Sequence, residues 1–283
     1  MAQPYPSCFG GYSVGCNHSL NSARLAHDLR LPISAVIPAN EKDFPMSTSA
    51  LNTQSNTILI VGASRGLGHA MAAEFLRKGW NVVGTIRKGS GQTKLHDLTD
   101  EFEGRLEIET VDICEPDQVA ALRDRLSGRV FDIVFVNAGV TNNPAETIAD
   151  VATDEFVRVM VTNALGPMRV LESLEPFVPA TGLIGVMSSG QGSISNNETG
   201  QREVYRGSKA ALNMFMRSFA ARHAATPRAM VLMAPGWVRT KLGGPDGRLS
   251  IEESVPSLVN ILLAKRGTPG LTYVDYLGRT VPW

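Results

Sequence analysis

Little cysteine, no net charge, no long apolar run and no paired histidines set the first limits on this chain. Of its 283 residues only three are cysteines, Cys8, Cys16 and Cys114, and no two stand at metal-ligand spacing. Two of them lie in the first 55 residues, so the rest can form no internal disulfide. That points to a reducing compartment, and the cytoplasm is expected. The 27 basic side chains are matched by 27 acidic ones. A balance of this kind leaves no electrostatic footprint for a nucleic acid or an anionic membrane as partner. The longest apolar runs, at 58–63, 131–136 and 261–264, are far shorter than the roughly 20 residues that cross a bilayer. The five histidines show no H-x-x-x-H or comparable spacing, so no metal is expected. No internal repeat is visible.

What is present divides near residue 55. Residues 1–55 are rich in Ser, Asn, Pro and Ala, with three basic (Arg24, Arg30, Lys42) and three acidic residues (Asp28, Glu41, Asp43). Such a segment buries too little apolar surface to offset its chain entropy, and a disordered leader is expected. Two alternatives stay open: organelle import through residues 1–45, and a true start at Met46. The chain as a whole is 43% hydrophobic, enough for a core. From residue 56 strand and helix signals alternate. Strands are expected at 57–62, 81–86, 106–111, 130–136, 183–187 and 229–233, and helices near 66–78, 116–126, 153–175, 204–224 and 251–265. Near-continuous apolar strands alternating with helices predict a single α/β domain over 56–283, with a doubly wound parallel sheet and helices on both faces.

The first strand runs into Gly62-Ala63-Ser64-Arg65-Gly66-Leu67-Gly68. Glycines let the backbone turn tightly and approach a pyrophosphate, and the helix that opens there presents free N–H groups to an anion. An ordinary tight turn has the same glycines; the strand–turn–helix context favours the dinucleotide. Sites that prefer NAD place an acid about 20 residues on, whereas the second strand here ends Thr85-Ile86-Arg87-Lys88. Arg65 and Arg87 could clasp a 2′-phosphate, and together they favour NADP(H), although either alone could be a solvated charge. Asp112 could accept from an adenine amino group or simply cap a turn. Asn137-Ala138-Gly139 follows the fourth strand, at the edge where such sheets bind ligands.

Tyr205-Arg206-Gly207-Ser208-Lys209 places a phenol and an ammonium one helical turn apart. The lysine is expected to lower the phenol pKa so that the tyrosine can exchange a proton with a carbonyl oxygen. By itself the pair could be a surface feature of a helix. Upstream stand Ser188-Ser189, past the strand ending at Met187, and Asn163 in a helical stretch. Met214, Phe215 and Phe219 read as core or subunit-interface residues, and Trp283 as a docked terminus.

The ordered set of Gly62, Gly66 and Gly68, Asn137-Ala138-Gly139, Asn163, Ser188-Ser189, Tyr205 and Lys209 resembles the short-chain dehydrogenase/reductase family over residues 57–283. The stretches 188–194, 205–214, 235–244 and 278–283 are similar to its C-factor and sniffer-type carbonyl reductases, which use NADPH. The resemblance implies a Rossmann-type fold, NADP(H) as cofactor and a small carbonyl or alcohol substrate. It implies Tyr205 as acid, Ser189 (with Ser188 as fallback) on the substrate oxygen, Lys209 on the nicotinamide ribose and Asn163 anchoring a water. It also implies cofactor contacts from Gly62, Ser64, Arg65, Gly66, Leu67, Gly68, Arg87, Asp112, Ile113, Asn137, Ala138, Gly139, Tyr205 and Lys209. The segment after the sixth strand adds Pro235, Gly236, Val238 and Thr240. A homodimer or homotetramer through the helices of Asn163 and Tyr205 is implied too. Val61 stands where many members have threonine, which removes one turn hydroxyl. Only Lys241–Ser250 separates that segment from the next helix, so a fairly open pocket is expected. An NADP(H)-binding sensor with little turnover remains the alternative.

Overall fold

The computed structural model describes residues 55–283, so the expectations for the leader and for Met46 lie outside the described residues. Seven strands form one parallel sheet: β1 (Thr57–Val61), β2 (Asn81–Ile86), β3 (Leu106–Thr110), β4 (Ile133–Val136), β5 (Leu183–Met187), β6 (Ala229–Ala234) and β7 (Gly270–Asp275). Their order is β3-β2-β1-β4-β5-β6-β7. The strands are apolar throughout because each face feeds a different core. Ile58 and Ile60 of β1 pack on one side with α1 (Gly66–Arg77) and α7 (Ile251–Lys265). Leu59 and Val61 pack on the other with α3 (Pro116–Arg125), α5 (Gly166–Leu174) and α6 (Glu203–Arg222).

The remaining helices are α2 (Lys94–Glu101) and α4 (Thr153–Met160), the latter joined to α5 by a π-helical turn at Val161–Leu165. Two elements depart from the sequence reading by their presence. Helix α2 buries only Leu95 and Leu98 and so has little apolar stripe to reveal it. Strand β7 is an edge strand of mixed polarity. The fourth strand starts at Ile133 rather than Val130, which is exposed. On α6 the core stripe is Leu212, Met216 and Phe219, whereas Met214 and Phe215 face outward.

The strand order reverses between β1 and β4. Connections leave these neighbours toward opposite faces and open a crevice at their carboxyl ends. The glycine turn follows β1 and Asn137 follows β4, so both signals named from sequence meet there. Among the described residues no helix is long and apolar enough to cross a membrane, and no group of three His, Cys, Asp or Glu could hold a metal.

Candidate active site

The glycine turn is held by backbone proximity. Gly62 sits at φ +91°, and a Cβ there would lie 2.9 Å from Ala138. A Cβ on Gly68 would lie 2.1 Å from Gly62 O and 2.5 Å from Asn137 Nδ2, the amide that donates to Gly62 O at 2.8 Å. The hydroxyl missing at Val61 comes from the next strand instead, because Gly62 N donates to Thr85 Oγ1 at 3.0 Å. Residue Arg65 precedes α1 in extended conformation with no side-chain cap, and the first turn of the helix carries no acid. Its amides are therefore available to an anion. Ser64 and Leu67 are half-buried in the turn. The guanidinium groups of Arg65 and Arg87 are exposed and engage in no ion pair among the described residues.

Asp112 caps its turn: Oδ1 accepts from Cys114 N at 3.0 Å, while Ile113 is buried beneath Gly166. At the opposite end, Val238 is buried, and Thr240 Oγ1 accepts from Gly243 N at 3.0 Å. Residues 237–250 fold on themselves through Arg239 N to Leu249 O (2.9 Å) and Leu249 N to Trp237 O (3.0 Å). Gly236, at φ +82°, packs on Leu249 and Tyr276, and Pro235 O accepts from Ser254 Oγ at 2.9 Å. A Cβ at Gly66 would lie 4.0 Å from Thr240 Cγ2, so this segment reaches back to the glycine turn.

Between these ends, Asn163, Ser189, Tyr205 and Lys209 converge. Asn163 is fully buried rather than on a helix surface. Its Oδ1 accepts from Val140 N and its Nδ2 donates to Val140 O, both at 2.8 Å, and Nδ2 also reaches Ser208 Oγ at 3.0 Å. Ser208 Oγ in turn donates to Tyr205 O at 2.7 Å. One amide thus joins the loop after β4, the π-helical turn and α6. A Cβ at Gly139 would lie 3.4 Å from Asn163 Oδ1 and 3.6 Å from Lys209 Nζ, so the Asn137-Ala138-Gly139 loop borders both.

The two serines differ. Ser188 Oγ donates to Asn213 Oδ1 at 2.6 Å. Ser189 Oγ accepts from Gln191 N at 3.1 Å and lies near enough to the Tyr205 phenol to influence it. Burial pushes the Tyr205 phenol up, and the Ser189 hydroxyl and the Arg202 charge offset this in part. Lys209 lies one turn further along α6. Its ammonium is turned to Met187 O at 2.8 Å, and burial lowers its own pKa to about 8. Sequence reasoning missed Thr85, Asn213 and Tyr273, the last of which donates to Ser189 O. Asn213 had a signal, since it continues the Tyr205–Lys209 spacing; Tyr273 had none. Trp283 docks as expected: its ring lies 5.4 Å from that of Tyr273, with the Arg217 guanidinium 4.5 Å above it.

The family model for short chain dehydrogenases matches residues 56–248. Among solved structures, a protein of short-chain dehydrogenase/reductase type from Burkholderia multivorans with bound NADP is 69% identical. Its TM-score is 0.80, covering 81% of this chain and 100% of that one. A carbonyl reductase from Pseudomonas aeruginosa PAO1 in complex with NADP is 33% identical with a TM-score of 0.75, covering 81% and 100%. The C-signal protein of Myxococcus xanthus is 34% identical over 154 residues, 54% of this chain and 92% of that one. The chain belongs to the short chain dehydrogenase family of oxidoreductases.

Proposed function

We propose that this protein is an NADPH-dependent reductase that converts the carbonyl group of an aldehyde or ketone to an alcohol. The observation that carries this reading is the buried Tyr205 phenol at the carboxyl edge of the sheet, with the Ser189 hydroxyl close enough to hold its pKa down in part. The cofactor fits the residues present. Gly62, Gly66 and Gly68 form a cradle that side chains would fill, the α1 amides are uncapped, and Arg65 and Arg87 offer exposed guanidinium groups to a 2′-phosphate. The cofactor-bound relatives are similar in the same fold.

Bound NADPH supplies the hydride. The chain supplies position and a proton. Ser189 Oγ orients the substrate oxygen, and Tyr205 gives its phenolic proton to that oxygen as negative charge develops on it. A phenol, whose ordinary pKa is already about 10, holds its proton at neutral pH, the state that an acid needs. Lys209 and Asn163 hold the segments that border the phenol, and Val238 and Thr240 close the nicotinamide side. Exposed Phe156 and Val157 on α4, with Met214 and Phe215 on α6, support assembly of copies through these helices into a dimer or tetramer. The half-buried free thiol of Cys114 fits a reducing compartment, and we place the protein in the cytoplasm.

The test is consumption of NADPH over a panel of aldehydes, ketones, quinones and dicarbonyls, with Tyr205→Phe as control. Turnover should fall at least about a hundred-fold in the variant, while NADPH binding changes only a few-fold. Loss of binding as well contradicts the role given to Tyr205. Tight NADPH binding by the wild type without turnover of any panel member would favour a cofactor-sensing protein, a reading that the likeness to C-signal keeps open.

A further inference from the structure

The face of α6 that carries Tyr205 and Lys209 continues one turn further to Asn213, which is buried. Its amide grips the turn that leaves β5. Oδ1 accepts from Ser188 Oγ at 2.6 Å and Nδ2 donates to Gly192 O at 3.1 Å, so the two partners flank Ser189. One turn earlier Lys209 Nζ holds Met187 O at 2.8 Å. The fit is close, because a Cβ at Gly192 would lie 2.9 Å from both Asn213 Nδ2 and Lys209 Cβ. From β7, Tyr273 donates its phenolic hydrogen to Ser189 O, which also accepts from Gly192 N at 2.9 Å. Backbone on both sides of Ser189 is thus fixed by buried side chains, while its hydroxyl takes Gln191 N and lies beside the Tyr205 phenol, whose pKa it lowers in part.

We propose that Asn213 is a positioning residue for the reduction: by holding Ser188 and Gly192 it fixes the backbone that aims the Ser189 hydroxyl at Tyr205. Its amide bonds Ser188 and Gly192 rather than the Tyr205 phenol, so it acts through Ser189. A serine hydroxyl aims well only when its own backbone is held, and small misplacements of an orienting group are costly in rate. A buried amide that only satisfied Ser188 would affect folding without a particular dependence on Ser189.

The inference rests on the reductase reading, and the test separates the two. On the panel carbonyl that the wild type reduces fastest, Asn213→Ala should lower kcat between roughly ten- and a hundred-fold. NADPH affinity, measured by fluorescence titration, should stay within a few-fold. Ser188→Ala should lower kcat in the same direction, and it carries the test if circular dichroism shows Asn213→Ala unfolded. In a Ser189→Ala background either change should cause no further loss, since no hydroxyl remains to be aimed. A further loss as large as that seen in the wild type overturns the proposal, as does wild-type kcat in the folded single variants. If the wild type reduces no panel carbonyl, the reductase reading fails and the clamp is judged by amide exchange. Gln191 N and Gly192 N both bond Ser189, and their exchange should accelerate in Asn213→Ala, or in Ser188→Ala where the former does not fold. Unchanged exchange overturns the clamp independently.

Discussion

At Lys209 burial works against charge. The side chain lies among core residues with Met187 O as its hydrogen-bond acceptor, and its pKa falls to about 8 from the ordinary 10.5. Below about 8 the folded and the unfolded chain both carry the proton, and the folded state bears the cost of a buried ammonium. Between about 8 and 10.5 the unfolded chain binds more protons, so this residue makes stability rise with pH across that window. Denaturant unfolding of the cofactor-free wild type and of Lys209→Met, at pH 7 and pH 9.5, should show this. The wild type gains on the variant by about 1 kcal/mol per pH unit above pH 8. A gap that does not change with pH would place the ammonium in water rather than in the core. Tyr205 shifts upward under the same burial.

Among the elements, the β1–α1 turn has little room for change. Gly68 has an ordinary helical backbone, so its need for glycine is a matter of space: a Cβ would meet Gly62 O and Asn137 Nδ2. Gly79, at φ +82° with nothing within 4 Å, is glycine for conformation alone. Gly68→Ala should therefore disrupt the Asn137–Gly62 bond and cost about 2 kcal/mol in stability. NADPH affinity should weaken in the same variant, because the disturbed carbonyl belongs to the cradle; calorimetric titration and thermal melts check the two effects. Normal NADPH affinity with a lowered melting point would separate the turn from the cofactor. The π-helical turn acts at the same scale, since it lies where Asn163 turns inward to bind both atoms of the Val140 peptide edge.

For the whole molecule, residues 56–283 form one parallel sheet with a core on each face. A chain starting at Met46 should accordingly fold with nearly the full-length melting temperature and retain NADPH turnover. A melting temperature many degrees lower would give the leader a structural part. The parallel sheet also sets which signals meet. Residues 75 positions apart, Gly62 and Asn137, bond because β1 and β4 are neighbours at the strand-order reversal. Tyr273 reaches Ser189 because β7 adds to β6, which itself pairs with β5.

Much of this molecule was legible from local chemistry. Strand period, glycine spacing and the four-residue step from Tyr205 to Lys209 are set by backbone geometry over a few residues, so the sequence alone determined the α/β class and most of the candidate site. Asp112 was legible both as an adenine contact and as a turn cap, and the fold adds that its Oδ1 accepts from Cys114 N. The hydroxyl absent at Val61 reappears on Thr85 one strand away, which no local pattern announces. Ser188 and Ser189 are chemically identical in sequence; only the packing of α6 against the β5 exit turns one toward Asn213 and the other toward Tyr205. The direction of the Lys209 ammonium and the rise of the phenol pKa were likewise decided by tertiary structure. Both depend on desolvation and on which carbonyl lies within reach, and those are properties of packed elements rather than of neighbours along the chain.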